Sequence, residues 1–407
     1  MAEDNRTEIQ RPIYRDTNLQ IVFAVTLMAV LGVASLTPAF PKIVQELQIS
    51  PQAIGSLITV FTFPGVILTP VLGVLADQFG RKKILVPSLL LFGVAGTACA
   101  FARDFNLLLA LRFFQGMGAA SLGSLNVTII GDLYAGRQRT AAMGYNASVL
   151  SLGTASYPAV GGALATIAWY YPFILPLVAL PIGLVVLFSL KNPEPRSEQQ
   201  FRRYLSDTWT SMANRQVVGL FVASTITFII VYGASLTYLP LLMGHSFAAT
   251  PFTIGLIMSS SSLSTALTSS QLGRLAKAYS ETTLMKAACV LYALSMVLIP
   301  FVPYIWLFLI PALILGIAQG LNMPSIQTLL AGLAPMKQRA ALMSINGMVL
   351  RLGQTLGPLV MGAVFGFVGT GAVFYAGAGF AVVMFIIVAI MISRSAVSRA
   401  PEADEVA

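Results

Sequence analysis

The chain has 407 residues, of which 57% are hydrophobic and 10% are charged, and its formal net charge is +9. Soluble domains carry about 25% charged residues, so this composition excludes a protein whose surface mainly faces water. The two cysteines, Cys99 and Cys289, both fall within apolar runs. Their placement argues against a disulfide framework and against a cysteine metal site.

Apolar runs of roughly 20 residues recur along the whole chain, and each is long enough to cross a hydrocarbon core about 30 Å thick. Glycine and proline within them are tolerated in membrane bundles, because neighbouring helices satisfy the freed backbone groups. The polar segment 1–17 has mixed charge, so we expect no cleavable signal peptide. In chain order the runs predict twelve transmembrane helices in an all-α membrane protein, at 19–40, 53–75, 84–102, 106–130, 141–167, 172–190, 216–242, 252–273, 284–302, 304–330, 341–367 and 371–392.

The basic residues lie mostly on one side of this predicted topology. Of the 24 lysines and arginines, 20 fall in the two chain ends and in the loops on the same side as those ends. The opposite loops hold Lys42 and Arg103, while Arg112 and Arg351 lie inside spans. Cytoplasmic loops carry such an excess. We therefore predict a multi-pass protein of the cell inner membrane with both termini in the cytoplasm, and the basic charge needs no nucleic-acid partner.

An internal repeat at a constant offset of 200 residues divides the chain into halves. Residues 34–37 recur as 234–237, and the run Gly153, Pro158, Gly162 recurs as Gly353, Pro358, Gly362. The linker between the halves has an apolar stripe at helical spacing from Phe201 to Met212, which predicts an amphipathic helix on the membrane surface. The predicted units are a cytoplasmic tail (1–18), a six-helix bundle (19–190), the linker (191–215), a second six-helix bundle (216–392) and a cytoplasmic tail (393–407).

The loop after the second span carries the most specific motif. From Gly73 to Lys83 it reads Gly-Val-Leu-Ala-Asp-Gln-Phe-Gly-Arg-Lys-Lys. This resembles the hallmark loop of the major facilitator superfamily, which implies two pseudo-symmetric six-helix bundles. We expect Gly73 to let helices approach closely. Asp77 and Arg81 are expected to latch one conformation at the inner face, and Asp132 at the inner end of span four is a candidate to join that latch.

Three further motifs resemble those of the superfamily's twelve-helix drug:proton antiporters. They lie in span one (Leu31 to Pro41), span four (Leu108 to Ala120, with Arg112) and span five (Gly144 to Gly162, with Gly153 and Pro158). Tyr157 departs from the span-five pattern, where the family prefers glycine. The glycines and proline of span five are also explained by close packing and a bend. For Arg112 a coupling role is favoured, and the alternative is a structural residue bonded to carbonyl groups of span one.

The resemblance implies that spans 1, 4, 7 and 10 line a central cavity in which the substrate binds near the midplane. Ordinary packing inside the membrane is the competing explanation for every single residue there. The candidates on these spans are Met28, Phe114, Asn126, Tyr232, Tyr238, Gln319 and Asn322.

Arg351 is the most distinctive residue, since it lies near the middle of span eleven. A charge at that depth needs a wet cavity or a partner. In one interpretation its partner is the acid group of an anionic substrate. The other gives it carbonyl or hydroxyl partners on a neighbouring helix, for which the serine-rich span eight (259–270) is the candidate.

No carboxylate falls in the middle of any predicted span. Many antiporters of this family carry one in the cavity, and this chain departs from that pattern. If transport is coupled to protons, Asp77, Asp132 or a relay near Arg112 must serve. The only histidine, His245, has no acid or cysteine nearby, and no metal-ligand cluster appears, so we do not predict an enzyme.

These features together predict a multidrug-type efflux transporter for small amphipathic or hydrophobic compounds. It is expected to work by alternating access as a monomer in the lipid bilayer, with an H+ gradient in place of any cofactor. The alternative is a facilitator or exporter of an anionic or lipid-like metabolite that uses Arg351. A sensor without transport activity is a third possibility, which nothing in the sequence favours.

Overall fold

The computed structural model describes residues 13–192, 214–333 and 339–392. Within these ranges the chain forms twelve long helices, some of which include 3-10 or π turns. In chain order they are α1 (Thr17–Glu46), α2 (Ala53–Phe79), α3 (Arg81–Phe101), α4 (Phe105–Leu133), α5 (Gly136–Ile167), α6 (Tyr171–Ser189), α7 (Arg215–Phe247), α8 (Pro251–Ala278), α9 (Glu281–Phe301), α10 (Ile305–Leu333), α11 (Arg339–Val368) and α12 (Thr370–Met391).

The helices match the twelve predicted spans, with ends that differ by a few residues. Caps fix several starts: the Asp16 carboxylate accepts from the amide of Asn18 at 2.8 Å, and Asp104 accepts from that of Leu107 at 2.9 Å. Such caps satisfy amides that lack a partner in the first turn. The fold class predicted from the sequence is confirmed. The predicted surface helix from Phe201 to Met212 and most of both tails lie outside the described residues.

Ten helices in the described ranges are long and apolar enough to cross a membrane. The remaining two, α5 and α8, carry more small and hydroxyl side chains. In α8 these side chains bond to α10: Ser264 and Thr265 donate to the carbonyls of Leu313 and Gly316 at 3.0 and 3.1 Å. Close packing of small residues with interhelical hydrogen bonds holds membrane helices together. These hydroxyl residues of α8 are therefore packing residues.

Each half forms its own bundle. In the first, α3 packs on α4 and α6, and α1 packs on α5; in the second, α9 packs on α10 and α12, and α7 packs on α11. The bundles meet along two antiparallel helix pairs, α2 with α11 and α5 with α8. The 200-residue repeat relates α2 to α8 and α5 to α11, so it relates the two interface pairs to each other and does not relate the two members of one pair.

The repeated Ala-Ser-Leu-Thr segments differ in helix type, since one leads into a tight 3-10 turn and the other lies in a wider π helix. In α1 the segment leads into a 3-10 turn at Thr37–Ala39, where Pro38 supplies no N–H. In α7 the segment lies in a π-helical stretch, Ile229–Tyr238, in which the Thr237 hydroxyl donates to the carbonyl of Tyr232 at 2.7 Å. π turns are often found at functional sites. The two bundles therefore differ at this level of the membrane.

Candidate functional site

The two bundles are in contact through the half of the membrane away from the chain ends, here called the outer half. Between α2 and α11, the hydroxyls of Thr62 and Thr355 are 2.9 Å apart. Between α5 and α8, the Ser259 hydroxyl accepts from the amide of Ala159 at 3.1 Å. These hydrogen bonds cross from one bundle to the other and close the interface on this side.

Glycines allow the backbones of α5 and α8 to touch there. A Cβ built on Gly162 would collide with the carbonyl oxygen of Pro251, and one on Gly255 with that of Pro158. Gly153 packs on α1, where a Cβ would lie 2.9 Å from Leu27. The span-five motif residues Gly153, Pro158 and Gly162 thus all lie in close helix contacts, as the packing interpretation expects.

The inner halves of the same helices are apart. A Cβ built on Gly144 of α5, on Gly273 of α8, or on Gly73 of α2 would meet no atom within 4 Å. In α8, which is described over its whole length, no residue after Ser264 is buried. The described parts of the two bundles therefore open toward the inner side. Gly73 makes no close approach in this conformation, and its role in a helix contact stays a prediction.

Three charged residues meet at the inner end of the first bundle. The Arg81 guanidinium forms an ion pair with Asp77 at the end of α2, and its Nε lies 3.1 Å from the Oδ2 of Asp132 on α4. Arg81 is buried, whereas Asp77 is one-third exposed. The structure thus brings together the Asp77, Arg81 and Asp132 of the predicted latch, and one arginine joins the ends of α2, α3 and α4.

Arg112 of α4 is completely enclosed in the first bundle. Its guanidinium donates to the carbonyls of Gly32 at 2.9 Å and Leu57 at 3.2 Å and to the Gln115 side chain at 2.7 Å. It also lies 4.1 Å from the centre of the Phe61 ring, within cation–π range. The structural interpretation expected the contact with a carbonyl of α1, and the structure adds a carbonyl of α2. The coupling role stays a prediction.

Arg351 of α11 lies at the seam with α2. Its side chain packs on Gly65, where a Cβ would lie 3.2 Å from the arginine Cδ. The guanidinium donates to Gln354 at 3.3 Å, and it is close enough to the Tyr232 hydroxyl of α7 to interact electrostatically. No described carboxylate pairs with it. The candidate partner helix was α8, and the helix on which the Arg351 side chain is seen to pack is α2.

Sequence reasoning missed the glutamines that hold these two arginines. Gln115 follows Arg112 by three residues, and Gln354 follows Arg351 by the same interval. Residues three apart are neighbours on a helix surface, so the Arg-x-x-Gln spacing was the available signal. In both bundles a neutral amide oxygen accepts from the guanidinium, which is buried at Arg112 and partly exposed at Arg351.

Two of the predicted cavity residues face the interiors of their own bundles. The Asn126 amide donates to the Thr26 hydroxyl at 2.9 Å, and the Asn322 amide donates to Thr227 at 2.7 Å. Both asparagines are buried. Buried amides need hydrogen-bond partners, and these pairs join α4 to α1 and α10 to α7. In this conformation neither asparagine lines an open cavity, and their role in substrate binding stays a prediction.

The other predicted cavity residues divide into three groups. Met28 and Tyr238 are buried, and Tyr238 stacks on Phe365 with ring centres 5.1 Å apart. Phe114 is 48% exposed. Tyr232 and Gln319 are partly exposed. Phe114, Tyr232 and Gln319, together with Arg351, are therefore the predicted cavity residues that keep exposed surface in this conformation.

All acids in the described ranges lie at helix ends: Asp16, Glu46, Asp77, Asp104, Asp132 and Glu281. Of these, Asp77 and Asp132 are the two that form ion pairs there. A proton-carrying carboxylate in the described part of the chain would therefore lie at a membrane surface.

Comparison with known proteins places this geometry in context. The family model described as Major Facilitator Superfamily matches residues 22–244 and 220–406. The chain is 26% identical to Multidrug resistance protein 1 of Bacillus subtilis (strain 168), over 86% of this chain and 90% of that protein. It is 23% identical to Quinolone resistance protein NorA of Staphylococcus aureus (strain MSSA476), over 82% and 86%. The solved structure of the nucleoside transporter NupG superimposes with a TM-score of 0.76 at 16% identity, over 92% and 98% of the two chains.

Proposed function

The chain belongs to the major facilitator superfamily, and from that membership we propose that it exports small amphipathic or hydrophobic compounds in exchange for protons. It is an integral membrane transporter. In this proposal it lies in the inner membrane of a bacterial cell, with both termini and the basic loops in the cytoplasm. The substrate then enters from the cytoplasmic side.

The observation that carries the proposal is the asymmetric contact between the bundles. Hydrogen bonds at Thr62–Thr355 and Ala159–Ser259 hold the outer halves together, while the inner halves of α5 and α8 are apart. An exporter must offer its site to the cytoplasm before it releases substrate outside. Rocking of one bundle against the other around a central site is the superfamily's architecture for that exchange.

Resemblance to drug exporters supports the substrate class. Two relatives that match over more than four-fifths of the chain are named for multidrug and quinolone resistance. The described acids all lie at helix ends, so no fixed negative charge at the midplane of the described helices selects a cationic substrate. Hydrophobic contact with adaptable side chains is the recognition mode that remains.

The coupling proton is proposed to bind the Asp77–Arg81–Asp132 cluster. This cluster joins three helix ends on the side where the bundles separate. Protonation of either acid would weaken its hold on Arg81 and free those helix ends to move. The proton then favours one conformation without touching the substrate.

Arg351 supports a second candidate function, the transport of an anionic or lipid-like metabolite. Its guanidinium has a neutral partner, Gln354, and no described acid compensates its charge. Charges inside a membrane are costly and mark substrate pathways. In this second candidate the acid group of the substrate supplies the missing negative charge.

Flux measurements separate the two candidates. The purified transporter is reconstituted in liposomes, and the uptake of one cationic, one neutral and one anionic dye is measured with and without an imposed pH gradient. Export by proton antiport predicts pH-driven flux of the neutral and cationic dyes that survives Arg351→Ala. Flux confined to the anionic dye and lost in Arg351→Ala supports the second candidate and contradicts the first. Flux of the neutral dye that ignores the pH gradient rejects antiport.

A further inference from the structure

A groove at the inner end of the first bundle lies between α3 and α6, outside the interface between the bundles. Its volume is about 360 Å³, and it is lined by Lys82, Lys83, Val86, Pro87 and Leu187. This volume is within the range of ligand pockets, about 300–1,000 Å³. The groove is separate from Arg351, Tyr232 and Gln319, so the proposed transport cycle does not account for it.

Three consecutive cations begin α3, and successive residues of a helix point about 100° apart. Arg81 turns toward Asp77 and Asp132. Lys82 donates to the carbonyl of Leu190 at the end of α6, at 3.4 Å. Lys83 is exposed. The cationic rim of the groove is therefore formed by Lys83 together with Lys82, which also ties α3 to α6.

The walls below this rim are apolar. Val86 and Pro87 each follow one of the lysines by four residues, so they lie on the same faces about 6 Å deeper in the membrane. Leu187 of α6 forms the opposite wall and is 42% exposed. The site thus combines positive charge at the membrane surface with an apolar groove beneath it. This arrangement matches the charged headgroup and the apolar acyl chain of an anionic phospholipid.

We propose that this groove binds one anionic phospholipid of the leaflet on the inner side. Its phosphate lies between Lys82 and Lys83, and an acyl chain lies along Val86, Pro87 and Leu187. Basic pockets between transmembrane helices are suited to anionic headgroups. Gly80 provides no side-chain cap to the first turn of α3, and the N-terminal end of a helix favours nearby negative charge.

The second half of the chain offers a built-in comparison. At the offset of 200, Lys82 and Lys83 correspond to Thr282 and Thr283. The start of α9 is capped by Ser280, which accepts from the amide of Thr283 at 3.2 Å, and an acid, Glu281, occupies its first position. The first-turn amide at this end of α9 is therefore already bonded to Ser280, and the acid Glu281 would repel an anionic headgroup. The proposal therefore assigns one lipid to each chain.

Native mass spectrometry of the purified full-length transporter tests the proposal. The protein is titrated with phosphatidylglycerol and with phosphatidylcholine of identical acyl chains, and with phosphatidylglycerol in the presence of inorganic phosphate. We expect one tightly bound phosphatidylglycerol and no comparable phosphatidylcholine. Lys83→Gln should weaken the tight binding by about fivefold or more. Leu187→Trp, which fills the groove without a change of charge, should also weaken it.

The matched control is Lys286→Gln, which removes one positive charge from α9 and should leave binding unchanged. Circular dichroism and size-exclusion profiles establish that each variant is folded. Equal binding of phosphatidylglycerol by Lys83→Gln, Leu187→Trp and the unmodified protein overturns the proposal. Displacement of the lipid by millimolar inorganic phosphate also overturns it, in favour of a simple anion site.

Discussion

Arg351 of α11 packs directly on Gly65 of α2, so a cation near the middle of one bundle's span lies on a glycine of the other bundle. A Cβ at Gly65 would lie 3.2 Å from the arginine Cδ and 3.3 Å from its Nε. Contacts of this kind are tight, but an arginine side chain can give way by a few tenths of an ångström. The seam between α2 and α11 and the position of the guanidinium are therefore coupled.

This contact predicts a graded response to side-chain size at residue 65. Gly65→Ala should retain most of the flux, because Arg351 can shift slightly, whereas Gly65→Leu should displace the guanidinium and reduce dye flux at least as much as Arg351→Ala. Initial rates in proteoliposomes measure the effect. The control is Gly379→Leu on α12, where a Cβ meets no atom within 4 Å. If the flux rates of Gly65→Ala and Gly65→Leu are equal, the contact between Arg351 and residue 65 has no role in transport.

A disulfide across the outer seam should trap the transporter open to the inner side. The hydroxyl oxygens of Thr62 and Thr355 are 2.9 Å apart, so the sulfur atoms of cysteines in their place would start close to the length of an S–S bond, about 2.0 Å. Oxidation of the Thr62→Cys/Thr355→Cys variant should abolish flux, and a reductant should restore it. The native Cys99 and Cys289 are both buried, so background reaction is small. Full flux with the cross-link complete, as quantified by mass spectrometry, would contradict the rocking of the bundles about this seam.

Some features of this molecule can be predicted from properties along the chain, whereas others depend on how the helices pack in three dimensions. Hydropathy and the constant repeat offset are properties along the chain, and they were sufficient for twelve spans and two bundles. The direction in which a side chain points depends on where neighbouring helices lie. The sequence does not distinguish an asparagine that lines a cavity from one that faces the interior of a bundle. Asn126 and Asn322 are of the second kind here, and their partners Thr26 and Thr227 are distant in sequence. The Arg–Gln pairs could have been predicted, because both partners share one helix.

Arg112 should be essential for the stability of the first bundle. Its removal leaves the carbonyls of Gly32 and Leu57 and the Gln115 side chain without their donor in a dry interior. Loss of hydrogen bonds to a charged group costs about 1.5–3 kcal/mol each, so Arg112→Leu should lower the free energy of unfolding by about 3 kcal/mol or more. Thermal denaturation in detergent measures this, with the exposed Arg137→Gln as the control. Unchanged melting with lost flux would instead support the coupling role.

The acid cluster at the inner end predicts how a pH gradient acts. Asp132→Asn keeps the size of the side chain but removes the charge that faces Arg81 at 3.1 Å. We expect flux of a neutral dye in this variant to continue down its own gradient but to lose most of its response to an imposed pH gradient. Glu46→Gln, at the outer end of α1, is the control with the same chemical change. A pH response as large as that of the unmodified protein would place the proton elsewhere.

The inner glycines of α5 and α8 predict the contact that forms when the bundles close on the inner side. The two helices run antiparallel and touch at Ala159 and Ser259. Fifteen residues before the first lies Gly144, and fourteen residues after the second lies Gly273, so both are at the same depth of the membrane. Neither has an atom within 4 Å of its Cβ position here. When the inner halves meet, the absence of side chains at this level allows backbone contact like that of Gly162 with Pro251. A Gly144→Cys/Gly273→Cys variant should therefore cross-link slowly at rest and faster during turnover with a transported dye. The rate is followed by mass spectrometry of the disulfide-linked peptides. An equal rate with and without the dye would show that these inner halves do not meet during transport.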